Sequence, residues 1–179
     1  MQYRYKNHIP KTGSRVFIAP GSDVIGDVSI GDDCGVWFNV TIRGDVHYIR
    51  IEDRTNIQDN SILHVTNGLF PIEIGSDVTI AHGVILHGCK IGDNTLIGMG
   101  SVILDGVEIG ANSIVAAGSL VRESLKFPAG VLIAGSAAVV KRSLRPSEIE
   151  KNRKYATNYV TYKDEYLNGN IFSPIAEGV

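Results

Sequence analysis

Three of the five histidines, His64, His82 and His87, fall in one short stretch of the chain. Neutral imidazole is the commonest side-chain ligand of a metal ion. Three imidazoles that leave a fourth position open are the donor set of a catalytic zinc, whose chemistry is the activation of water. The same donors accept iron, cobalt or nickel, so the residues point to Zn2+ with Fe2+, Co2+ or Ni2+ as alternatives. His8 and His47 lie outside the stretch and read as solvated side chains. Cys89 comes two residues after His87; it reads as core, with a metal-proximal or redox role as the alternative.

The elements that must hold these histidines come from a repeat. Aliphatic residues recur every six positions through Ile18, Val24, Ile30, Val36 and Ile42. The series slips by three to Ile51, Ile57 and Leu63, then takes a five-residue insertion to Ile74, Ile80 and Leu86. After a one-residue deletion it runs through Ile91, Ile97, Ile103, Ile109, Val115, Val121, Phe127, Ile133 and Val139. All but Phe127 are Ile, Val or Leu. A period of six fits neither a helix face nor simple strand alternation. It fits a flat strand and a corner, three to a coil, with one aliphatic side chain inward per flat: a parallel β-helix. Cys34 takes the small inward fifth place of its hexad and reads as core filler. Residues 1–17 read as an N-terminal cap, 18–144 as the hexapeptide-repeat β-helix, 145–168 as a C-terminal helical segment and 169–179 as a tail. Within the third segment, Ser147 with Glu150 reads as a capping box, and Ile149, Ala156, Tyr159, Val160, Tyr166 and Leu167 share helical spacing over about 147–167. Asn168-Gly169 is a stop signal.

Counting hexads places the histidines. If Asn67–Pro71 is a loop, three flats separate Leu63 from Leu86, one coil. His64 and His87, each following its inward residue, then stack on one face about 4.8 Å apart. Arg43 falls one coil below His64, and Asp59, beside Gln58, one coil below His82. His82 sits one flat earlier, near a corner, where a neighbouring chain's His82 reaches the pair more easily than its own does. The count points to a site built between the chains of a cyclic trimer.

Composition excludes several classes. With 17 Lys+Arg against 19 Asp+Glu, the net charge of −2 gives no general attraction to nucleic acid. No apolar run reaches the roughly 18 residues of a membrane span, and the opening residues lack the apolar region of a secretory signal. Two cysteines make no disulfide framework and fit a reducing, cytoplasmic setting.

Arg43-Gly44-Asp45, Asn56-Ile57-Gln58-Asp59, His64 and Ala81-His82-Gly83-x-x-x-His87-Gly88 resemble the γ-class carbonic anhydrase family, over about residues 10–167. The resemblance implies an all-β fold, a left-handed triangular parallel β-helix of hexapeptide repeats with a C-terminal α-helix packed alongside. It implies a homotrimer with metal sites at its interfaces, His64 and His87 supplied by one chain and His82 by the next. It implies an Arg43–Asp59 ion pair at that interface, Gln58 on the metal-bound water, and Tyr159 of the terminal helix near the pocket. The implied activity is that of a lyase: reversible hydration of CO2 to bicarbonate by metal-bound hydroxide. The best-characterised members look to carry a glutamate where Val46 stands, and an acidic loop with a proton-shuttling glutamate where Val65–Pro71 is short and uncharged. His47 is the alternative proton carrier. Three other functions compete: a thioesterase-like hydrolase on the same metal site, a non-enzymatic metal-binding trimer, and a hexapeptide acyltransferase using one histidine as base.

Overall fold

A computed structural model describes residues 1–169 and Phe172; the apolar tail read from the sequence otherwise lies outside the described residues. The chain winds into a parallel β-solenoid of about seven turns, followed by a single helix. Each hexad yields a short strand and a corner. On the first face, strands Phe17–Ile18, Gly35–Val36, Asn56–Ile57, Thr79–Ile80, Leu96–Ile97, Ile114–Val115 and Val131–Gly135 stack in chain order. The second face carries Ile62–His64 and Ile85–His87, and the third carries Ile72–Ile74, Lys90–Ile91 and Glu108–Ile109. One long strand, Thr41–Ile51, bends round the corner and joins the second face to the third.

The three breaks in the period each have a structural cause. The three-residue slip is a bulge: pairing with the neighbouring long strand jumps from Gly26–Gly44 to Val28–Ile49. The five-residue insertion is the tight loop Thr66–Phe70, closed by Thr66 N–H to the Phe70 carbonyl at 3.1 Å. The one-residue deletion is a sharpened corner at Gly88, whose φ of +53° lies in the left-handed region. Asp33, Asn39, Asn60, Asp77, Asn94 and Asn112 turn other corners at positive φ, as short polar side chains can.

The core is the stack of inward aliphatics. Val24, Ile42, Leu63, Leu86, Ile103 and Val121 are fully buried one above another. Each is covered only by the coils next to it, so stability is built by stacking. The series ends at Ile133, not at Val139. Residues Ala138–Ser143 turn back antiparallel to Val131–Gly135, so Val139 pairs with Ala134 and is exposed. The last coil has no successor, and the returning strand covers its open edge.

Helix α1 spans Pro146–Leu167 and lies along the first four strands of the first face. Pro146 holds the first helical position, which makes Arg145 the cap and Glu148 the third residue. The capping box is therefore Arg145–Glu148 rather than Ser147–Glu150: Arg145 N–H donates to Glu148 Oε2 at 2.9 Å. Gly169, at φ +70°, follows the helix end. The buried face of α1 includes two polar residues that fill positions of the apolar stripe, Asn152 and Lys163, while Leu167 is exposed. Tyr159 and Tyr166 meet Trp37 edge-on, at 5.5 and 5.3 Å between centroids. Among the described residues, no helix is long and apolar enough to cross a membrane.

Candidate metal centre

The pairing register puts Arg43, His64 and His87 in one column on the second face, in adjacent coils. The two imidazoles do more than stack. His64 Nδ1 lies 3.1 Å from His87 Nε2. The remaining nitrogen of each ring is held by an aspartate: His64 Nε2 by Asp45 Oδ1 at 3.1 Å, His87 Nδ1 by Asp105 Oδ1 at 2.7 Å. An ionised carboxylate can only accept, so each ring places its N–H on its aspartate. With both rings neutral, two lone pairs then face each other across 3.1 Å, and a shared proton or a metal ion relieves the repulsion.

That geometry fits a metal ion. Nitrogens bound at about 2.0–2.1 Å to a tetrahedral zinc stand roughly 3.3 Å apart. Carboxylates on the far nitrogens are the usual outer shell of metal-bound histidines. Burial lowers the pKa of His64, with Asp45 opposing and the charge of Arg43 adding, so the ring stays neutral and able to ligate at pH 7. At Asp45, burial raises the carboxyl, but hydrogen bonds from Arg43 and His64 outweigh it and keep it ionised.

His82 stands apart from this pair, on the corner after Thr79–Ile80, with its side chain half-exposed. Its Nδ1 is 2.9 Å from Asp59 Oδ2, so it too has a carboxylate on one nitrogen. Among the described residues, no three His, Cys, Asp or Glu side chains of one chain gather into a metal-binding group. The chain thus brings His64 and His87 together but holds His82 elsewhere. Arg43 is paired with Asp45 within the chain, and Asp59 with His82.

Gln58 and Tyr159 are placed near His82. Both line a hollow of about 370 Å³ between the first face and α1, together with His82, Leu96, Met99 and Tyr155. Gln58 is buried and donates from Nε2 to Asn56 Oδ1 at 3.1 Å, which sets the plane of its amide. Asn56 is fixed in turn, donating to Thr79 Oγ1 at 3.0 Å. At Tyr159, burial and then the nearby charge of Asp59 raise the pKa, so the hydroxyl remains a donor. Both cysteines are buried, and burial pushes Cys34 up to about 12 and Cys89 higher still, so neither is a thiolate at neutral pH. Cys89 is core.

Asp105 lies outside the residues that the histidine registry and the motifs single out. The signal for Asp105 was present: it is the third residue of the Ile103 hexad, in the coil that follows His87.

Two hexapeptide-repeat family models match the chain: bacterial transferase hexapeptide (six repeats) over residues 10–44 and 88–123, and hexapeptide repeat of succinyl-transferase over 48–87. Protein YrdA of Escherichia coli K12 is 49% identical over 177 residues, covering 95% of this chain and 96% of its own. The mitochondrial gamma carbonic anhydrase 1 of Arabidopsis thaliana is 42% identical over 155 residues, covering 84% of this chain and 56% of that protein. Among solved structures, a hexapeptide transferase family protein from Anaplasma phagocytophilum is 37% identical with a TM-score of 0.89, covering 93% of this chain and 98% of the other.

Proposed function

The chain belongs to the γ-class carbonic anhydrase family, and on that premise we propose that it is a metal-dependent enzyme interconverting CO2 and bicarbonate at the interfaces of a homotrimer. The observation that carries this reading is the His64–His87 pair, whose facing nitrogens stand at the separation of two ligands of one metal ion and whose outer nitrogens are both on aspartates. His82 of the adjacent chain completes the donor set, and Arg43 of one chain pairs with Asp59 of the next. Zn2+ suits the donors, with Fe2+, Co2+ or Ni2+ as alternatives. A bound ion of this kind supplies Lewis-acid activation of water at neutral pH.

The chain's own residues supply the rest. Asp45, Asp59 and Asp105 fix the tautomers of the three ligands. Gln58, its amide plane set by Asn56, orients the reacting oxygen. Tyr159 presents a hydroxyl to the same hollow. The proton leaves past His47, which lines a second hollow of about 400 Å³ with Asp45 and His8. Two buried thiols suit a reducing, cytoplasmic setting.

The test is stopped-flow CO2 hydration by the metal-loaded protein, with equally treated His82→Ala protein as the blank. A rate well above the blank is expected, with inhibition by small anions. Equal rates with metal bound in the wild type would remove the anhydrase activity. The largely apolar hollow beside His82 favours a second reading in that case: hydrolysis of a small acyl thioester on the same site.

A further inference from the structure

The loop after His64, Val65–Pro71, carries no charged side chain, yet it is tied to the site. Thr66 Oγ1 donates to Asp105 Oδ2 at 2.7 Å, while Asp105 Oδ1 accepts the His87 Nδ1 proton at 2.7 Å. Both oxygens of one carboxylate are therefore engaged, one by the loop and one by the imidazole. The loop itself is stiff. Besides the Thr66–Phe70 closure, Leu69 N–H and Phe70 N–H both donate to the Thr66 carbonyl, at 3.2 and 3.3 Å. Phe70 lies against Gly88, directly after His87: a Cβ there would come within 2.6 Å of the Phe70 Cβ. Gly88 is joined to the next coil by Gly106 N–H, which donates to its carbonyl at 2.7 Å. Loop, corner and carboxylate thus form one packed unit behind a single imidazole.

We propose that Thr66 and Asp105 are positioning residues for His87, and that the short loop serves as a brace setting the affinity of the metal centre. The inference rests on the metal reading above, but not on the anhydrase activity. A carboxylate bonded at one oxygen can rotate and admit water; bonded at both, it holds the ring plane and tautomer fixed. His64 has a different device, with Arg43 on the second oxygen of Asp45. The two ligands from one chain are thus steadied independently, one by an arginine of the coil and one by the loop.

The test uses Co2+ as the probe, with affinity measured by chelator competition on the assembled wild type, Thr66→Val, Thr66→Ser and Asp105→Asn. Thr66→Val keeps the shape and removes the donor, and a roughly tenfold loss of affinity is expected. Thr66→Ser restores the hydroxyl and recovers most of that loss. Asp105→Asn, which keeps the size, should lose at least as much as Thr66→Val. In the Co2+-loaded protein, the exchangeable Nδ1 proton of His87 should exchange with water faster in Thr66→Val, with thermal stability unchanged. Wild-type affinity in Thr66→Val, or equal losses in Val and Ser, would overturn the brace. A wild type that takes up no Co2+ removes the metal reading and the brace with it.

Discussion

His82→Ala protein is expected to emerge nearly free of metal, although its own His64 and His87 remain in place 3.1 Å apart. Two imidazoles on neighbouring coils provide two donors, and a catalytic zinc takes three from protein. Losing an outer-shell partner alone costs about 10–100-fold in affinity, so losing a ligand should exceed the upper end of that range. CO2 hydration should fall with the metal. The fold should not suffer. His82 is half-exposed on a corner, and substitutions at such places usually change stability by within about 0.5 kcal/mol. Metal analysis beside a thermal melt separates the two effects: metal retained at the wild-type level means that His82 is not a ligand.

The second large effect lies far from the metal. Lys163 is fully buried, and its ammonium meets Asp33 Oδ1 at 2.9 Å and the adjacent Asp164. This contact fastens α1 to the first coils, since Asp33 turns the corner before Gly35–Val36. Lys163→Ala removes the cation and leaves a void under the helix; Asp33 keeps Arg15 as a partner, so the void dominates and a loss of about 2–5 kcal/mol is expected. Lys163→Met refills the void without the charge and should recover part of the loss. The pH dependence follows from Asp33. Burial pushes its carboxyl up, but hydrogen bonds from Lys163 and Arg15 outweigh it, so the folded pKa lies below the usual value. A depressed carboxylate stabilises fully above its unfolded pKa of about 3.9 and loses that contribution as pH falls through the folded value. Denaturant melts from pH 6 down to pH 2 should show wild type losing more stability over the acid end than Lys163→Met. Parallel curves, or a Lys163→Ala protein as stable as wild type, would count against the pair.

The same contrast explains what the sequence revealed. An inward aliphatic every six residues is written plainly in the chain, because each flat must bury one side chain against its neighbours. Once Asn67–Pro71 is treated as a loop, hexad counting gives the stacking of Arg43, His64 and His87 and sets Asp59 one coil below His82; that the two pair is the structure's finding. Features set by a single contact across the molecule carry no period. Lys163 sits on the helix face as a buried cation because Asp33, 130 residues earlier, awaits it. Spacing places position 163 on the buried face of the helix, but a lysine by type belongs in solvent. Val139 continues the sixfold count in sequence, but the end of the stack reverses the strand that carries it. Asp105 stands beside His87 only after the intervening corner is folded, and an aspartate at a β-helix corner is otherwise an ordinary turn residue.

The central claim is a metal centre shared between chains, and its most direct measurement is metal bound after mixing two defective proteins. His82→Ala chains keep His64 and His87, and His87→Ala chains keep His82. Each variant alone should bind little metal. Dissociated together and reassembled in equal amounts, they should regain about a quarter of the wild-type sites, the share of interfaces in a closed cyclic trimer that join one chain of each kind in the right order. A mixture as empty as its parents, from subunits shown to have exchanged, would contradict the shared site.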